Sequence, residues 1–176
     1  MKTRSSFVSN SSSSSFVVVF PYRPQSQAEL QELMFPNAVK EICLWGDLEE
    51  TTPTDTIVEH VWNDIQKYME KSFAPEELLE CMGFVMPEEY LNQIPLPWTN
   101  YKDLTEKERK KAYDVYSKKC NKIKSAWAKK TLENIYQANP NAFIFPVSYS
   151  DHDPLGAVLE HGDIFRNLQH WRFNNH

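Results

Sequence analysis

The chain has 176 residues, of which 41% are hydrophobic and 24% are charged, and its formal net charge is −5. This length and composition exclude global disorder and predict a single domain over residues 1–176. The four scattered glycines exclude a Walker A loop and a Rossmann glycine fingerprint, and the apolar runs are shorter than the roughly 20 residues of a membrane helix.

Periodicity and turn residues predict the elements in chain order. Short β-branched or aromatic runs predict strands, and apolar residues at three- and four-residue steps predict helices. The elements predicted in the first half are a strand at 16–20, a helix at 26–34, a strand at 42–45, helices at 53–71 and 75–82, and a short helix at 87–92.

The second half begins with one long basic helix near 104–138. A strand follows at 143–149, where Pro146 indicates a sheet edge or a bulge. The last predicted strand, 170–176, places Trp171 and Phe173 on one face and His170, Arg172, Asn174 and His176 on the other. Strands separated by helices predict an α/β or α+β fold, with a small mixed sheet of about four strands packed with helices.

The compartment is predicted from two features of the sequence. Cys43, Cys81 and Cys120 are odd in number and too widely spaced for a CxxC pair, which favours a reducing compartment. The first residues lack the apolar stretch of about 7 to 15 residues that a secretory signal needs. We therefore expect a cytoplasmic protein, with no membrane partner.

Charge is distributed unevenly along the chain. Residues 26–97 hold 15 acidic and three basic residues, a net charge of −12, whereas residues 102–130 hold 11 basic and four acidic residues, a net charge of +7. The basic helix is either a solvated surface or a surface for nucleic acid or an acidic partner. The negative total charge weighs against nucleic acid.

Histidine and acidic residues are dense near the carboxyl end. Asp151 and Asp153 follow the strand at 143–149 and point the same way if extended, so both carboxylates could address one divalent cation. His161 and His176 are the further candidate metal ligands, and Mn²⁺, Fe or Zn²⁺ would suit a mixed set. The spacing matches no zinc signature, and turn-forming Asp residues with surface histidines are the alternative.

The serine tract has two interpretations. It is a flexible polar tail, or its hydroxyls and backbone N–H groups cradle a phosphate between the apolar anchors Phe7 and Phe16. The ligand-binding residues under the second interpretation are Ser9, Asn10, Ser11, Ser12 and Ser13.

Both ends of the chain carry a resemblance. Residues 4–16, Arg-Ser-Ser-Phe-Val-Ser-Asn followed by five serines and Phe16, resemble the R-x-G-F-V-S-N-S-S-S-S-S-F element of a poorly characterised group of bacterial and bacteriophage proteins. Ser6 stands where that element often has Gly. The tail from Tyr149 to His176 resembles the His-containing end of the same group. The resemblance implies a bacterial or phage source and suggests that the two ends form one unit.

These observations support two main hypotheses. The first is a phage or bacterial accessory protein that binds a host or phage protein, or a phosphate-bearing or nucleotide ligand, in the host cytoplasm if phage-encoded. The second is a metal-dependent hydrolase or transferase acting on a phosphate-containing substrate through the Asp151/Asp153 pair. Its candidate catalytic groups are His161 and His170 as acid–base residues, and Arg172 to stabilise anionic oxygens. Nothing in the sequence speaks directly for a virion component.

Overall fold

A computed structural model describes residues 13–37, 39–43, 51–68, 73–82, 104–150 and 155–174. Its contacts divide the chain into two compact units, Met1–Glu70 with Phe143–His176, and Lys71–Ala142. Five helices and five strands lie in the described residues, which confirms a fold of mixed α and β structure with one long helix. The single domain over residues 1–176 stays a prediction.

The first unit is built on a three-stranded sheet in the order β4-β1-β5, whose strands are β1 (Ser13–Phe20), β4 (Phe143–Ser150) and β5 (Gln169–Asn174). Both pairings are antiparallel. The predicted union of the two chain ends is therefore confirmed for these strands. Strand β1 pairs along both of its edges and therefore separates β4 from β5. Pro146 lies in an edge strand, as predicted.

The remaining strands of this unit form a separate sheet. They are β2 (Glu41–Cys43) and β3 (Thr51–Pro53), three residues each and antiparallel. The described strands thus make two small antiparallel sheets, where the sequence indicated one mixed sheet. Parallel strands must be joined by a crossover connection, which is usually a helix. The β1–β4 and β1–β5 pairs are antiparallel, so neither pair needs such a connection.

Two helices cover the sheet face that carries Phe16, Val18 and Phe20. They are α1 (Gln27–Met34) and α2 (Thr54–Lys67), which bury Leu30, Met34, Ile57, Val61 and Ile65 in one apolar core. Ser26 caps α1 by accepting from the Glu29 backbone N–H, while the Glu29 carboxylate accepts from the Gln25 N–H.

Helix α2 ends earlier than the sequence indicated. Its last helical residue is Lys67, and Tyr68 is extended. The Arg23 Nη2 donates to the carbonyl oxygens of Ile65 and Tyr68, at 3.2 and 3.1 Å. A cation at a helix carboxyl end satisfies carbonyl groups that the helix itself leaves unpaired.

A short helix, α5 (Gly156–His161), follows β4 and was not predicted. Gly162 ends it, and a Cβ at this position would collide with the carbonyl oxygen of Val158. Six residues are too few to show a helical period in the sequence. This helix orients Glu160 and His161, so its close packing determines where those two side chains lie.

The second unit contains α3 (Pro75–Met82) and α4 (Glu106–Ala138), which pack against each other. Thr105 and Glu108 form a complete capping box at the start of α4, which confirms the predicted beginning of the basic helix. Val115, an apolar residue of α4, is 48% exposed. The predicted helix at 87–92 lies outside the described residues. Among the described helices, none has the length and apolar character required to cross a membrane.

The thiol of Cys81 in α3 has an unusual environment. Burial, followed by the charges of Glu80 and Glu77, raises the pKa of this thiol to about 11. Cys43, Cys81 and Cys120 all lie in the described residues, and they form no disulfide bond with one another.

We expect Cys81 to react slowly with alkylating reagents. The thiolate is the nucleophile, and raising its pKa from 9.0 to about 11 lowers the thiolate population near pH 8 by about 100-fold. The measurement is the rate of iodoacetamide labelling of the Cys81 peptide by mass spectrometry. The Glu77→Gln/Glu80→Gln variant should react faster, and the unfolded chain is the reference. Labelling of the folded chain at the unfolded rate would contradict this prediction.

Candidate functional site

The candidate site lies where α5 meets the β1–β5 pair. Residues opposite or two apart on antiparallel strands share a face, and the register pairs Phe16 with Arg172 and Ser14 with Asn174. Ser14 and Arg172 therefore project from the same face of the sheet. Helix α5 brings Glu160 to both of them, although this carboxylate is 146 residues away from Ser14 in the chain.

The Glu160 carboxylate is the centre of the site, and its side chain is 0% exposed. The Ser14 hydroxyl donates to its Oε1 at 3.0 Å. Arg172 donates from Nε to the Ser14 oxygen at 3.1 Å, and its Nη2 lies 3.9 Å from the same Oε1. The hydroxyl thus accepts from a cation and donates to an anion. A buried carboxylate requires such a positive partner and hydrogen bonds, because transferring its charge out of water is costly.

His161 completes the cluster on its exposed side. Its Nδ1 lies 3.2 Å from Arg172 Nη2, and its Nε2 lies 3.7 Å from Glu160 Oε2. A guanidinium can only donate, so Nδ1 must accept and the ring proton belongs on Nε2. The geometry therefore specifies a neutral imidazole whose N–H faces the carboxylate. The side chains of His161 and Arg172 are 33% and 34% exposed, so both reach solvent.

Aromatic rings lie beneath the guanidinium. The Arg172 Cζ is 5.7 Å from the centre of the Phe16 ring, which in turn contacts Phe165 edge-on at 5.5 Å. Such a cation–ring contact holds the guanidinium plane and keeps water from one of its sides. Arg172 is consequently held in place by Ser14, by His161 and by its contact with the Phe16 ring.

A second group of titratable residues lies along the other edge of β1, where this strand pairs with β4. Tyr149 on β4 pairs with Ser14, and its ring is 6.1 Å from Phe16 and 5.9 Å from His60. Burial, and then the nearby Asp64 carboxylate, raises the pKa of the Tyr149 phenol well above its usual range. The phenol therefore remains protonated at neutral pH. His60 Nε2 also lies 3.6 Å from Asp64 Oδ2, one turn further along the same helix.

The predicted site residues have different outcomes. The structure brings His161 and Arg172 together, while His170 turns toward the Leu168 carbonyl at 3.0 Å and the Phe165 ring. Ser13, next to Ser14 on the strand, points to the opposite face of the sheet. The predicted residues that lie outside the described part of the chain are Ser9, Asn10, Ser11, Ser12, Asp151, Asp153 and His176.

Ser14 and Glu160, the two residues that organise the site, were not among the predicted site residues. Ser14 was one serine of a uniform tract, and only the strand register distinguishes it from its neighbours. Glu160 was one acid among several near His161. The available signal was its position directly after the apolar pair Val158 and Leu159, which indicates a buried helix face.

Metal binding at this site remains a prediction. Within the described residues, no group of three or more His, Cys, Asp or Glu side chains could hold a metal ion. The predicted metal ligands Asp151 and Asp153 lie outside those residues, so the structure does not test the predicted ligand set.

Comparisons with known proteins leave the site to be interpreted on its own chemistry. No protein-family model, curated protein or solved structure matches this chain.

We expect Ser14→Ala to destabilise the fold by about 1–3 kcal/mol, because it removes a hydrogen bond from the buried Glu160 carboxylate and an acceptor from Arg172. The measurement is urea denaturation. Ser148→Ala is the matched control. It also removes a strand hydroxyl, but Ser148 is exposed and its hydroxyl meets only a neutral one in Ser15, so the loss should stay below about 1 kcal/mol. Equal losses in the two variants would contradict the prediction.

Proposed function

We propose that this protein binds a phosphate-bearing ligand, with Arg172 and His161 holding the phosphate group. The observation that supports the proposal is the fixed, partly exposed Arg172 guanidinium at the edge of the Ser14–Glu160 cluster. A guanidinium N–H donates a charge-assisted hydrogen bond to a phosphate oxygen, and bonds of this kind are about twice as strong as neutral ones.

Preorganisation favours ligand binding at this position. Arg172 already has its side chain ordered by Ser14, by His161 and by the Phe16 ring. A ligand therefore does not have to order a long, mobile side chain, which ordinarily costs about 0.5–1.5 kcal/mol. Among the contacts of the described residues, Arg172 uses Nε and Nη2. We assign Nη1 to the ligand.

The difference in exposure between the two charged groups also favours an incoming anion, because the Arg172 guanidinium reaches solvent and the Glu160 carboxylate is buried. Arg172 and Glu160 offset each other, and His161 is neutral while it accepts from Arg172. The serines and Asn10 that precede β1 are proposed as the second half of the phosphate site. Residue 12 joins directly to Ser13 at the start of the strand.

A metal-dependent hydrolase or transferase is the second candidate. One observation favours it: β4 ends at Ser150, which pairs with Ser13, so this end of β4 lies at the same end of the sheet as Ser14. The phosphate site would then hold the substrate, and Asp151 and Asp153 would hold the cation. An accessory role in a phage or bacterium is proposed from the resemblance of the chain ends alone.

The test is titration calorimetry with inorganic phosphate, AMP, ATP and GTP, first with a chelator and then with Mn²⁺. We expect Arg172→Gln to weaken binding of at least one of these ligands tenfold or more, equivalent to about 1.4 kcal/mol. Arg166→Gln is the matched control, because Arg166 is an exposed arginine six residues away in the chain. Binding that is unchanged in Arg172→Gln, or no binding of any probe by the parent protein, would contradict the proposal.

The same titrations separate the two candidates. A binding protein returns each ligand intact. Release of inorganic phosphate or transfer of a phosphate group that depends on Mn²⁺ and disappears in Asp151→Asn would favour the enzyme.

A further inference from the structure

A row of lysines runs along the second unit's long helix. At about 100° per residue, five positions of α4 fall within an arc of about 60° around the helix axis. These exposed residues, which we call the lysine stripe, are Lys107, Lys111, Lys118, Lys122 and Lys129. At about 1.5 Å per residue the stripe is about 33 Å long.

The lysine stripe is separate from the packed side of α4. The buried residues of the helix are Cys120, Lys124, Ala128, Leu132 and Ile135. Their mean direction lies about 110° away from the stripe around the axis. Burial lowers the pKa of Lys124, which distinguishes this lysine from the solvated ones. The stripe is therefore an exposed feature of the helix and takes no part in its core.

Acidic neighbours offset only part of this charge. Asp114 borders the stripe, and Glu133 lies 3.9 Å from Lys129. Both partners of that pair are largely exposed, at 65% and 72%, and exposed pairs of this kind contribute little to stability. A stronger anion could replace such a contact at little cost.

We infer that the lysine stripe binds the sugar–phosphate backbone of a nucleic-acid duplex without reading its sequence. The residue types distinguish this partner from an acidic protein. Protein interfaces are enriched in Trp, Tyr and Arg and depleted in Lys, and the stripe has lysine as its sole basic residue type. Repeated lysines suit contacts with phosphates, which position a protein on DNA or RNA but do not specify a base.

A duplex fits the stripe better than a single strand. Single-strand sites combine positive charge with aromatic side chains on which bases stack. Between Lys107 and Lys129 the arc of the stripe contains no aromatic residue, and this whole stretch lies in the described helix. A straight helix about 33 Å long spans about one turn of a duplex, so three to five lysines can meet phosphates together.

The test is the salt dependence of binding to a fluorescein-labelled duplex of about 24 base pairs, followed by anisotropy. Neutralising three to five phosphates predicts a slope of log K against log salt between about −2.7 and −4.5. The Lys111→Gln/Lys118→Gln/Lys122→Gln variant should lose about 2.7 of that slope and bind at least tenfold more weakly. The same three positions changed to Arg should keep both properties.

Two further controls keep the inference open to refutation. Lys67→Gln and Arg166→Gln change exposed basic residues outside α4, so both should leave duplex binding unchanged. Circular dichroism checks that each variant remains helical. Equal duplex binding by the triple Gln variant and the parent chain would overturn the inference. So would tighter binding to polyglutamate or to the single strand, or a stripe-dependent dimer in sedimentation.

Discussion

The buried carboxylate of Glu160 sets the main physical constraint on the first unit. A negative charge out of contact with water requires a cation and hydrogen-bond donors, and Glu160 obtains them from strands at opposite ends of the chain. Ser14 comes from β1, Arg172 from β5, and the carboxylate itself from α5. The three elements must therefore be assembled together, and none can shift without leaving a polar group unpaired.

The same constraint connects stability with the proposed function. Arg172 has one side committed to Ser14 and Glu160, while about a third of its side chain remains exposed. The buried contacts hold the guanidinium, and its exposed part is open to the proposed ligand. His161 lies between these two roles, because it accepts from Arg172 and also reaches solvent. A site of this kind gains affinity from order that the fold has already established.

The sequence determined much of the local structure. The capping box at Thr105, the β-branched run at 16–20 and the proline that opens α3 are short-range signals, and the structure has elements at all three places. The charge asymmetry between residues 26–97 and 102–130 is likewise a property of the sequence alone. Such features need no tertiary information, because neighbouring residues in the chain decide them.

Tertiary structure decided which residues meet. Within a tract of five serines the sequence cannot distinguish Ser14 from Ser13, because only the register of β1 with β5 puts one hydroxyl beside Arg172 and the other on the opposite face. Glu160 became the centre of the site through its burial, which depends on the packing of a six-residue helix against strands far away in the chain. Residue types and local periods are encoded locally, whereas pairing register and burial arise only when distant segments exclude water together.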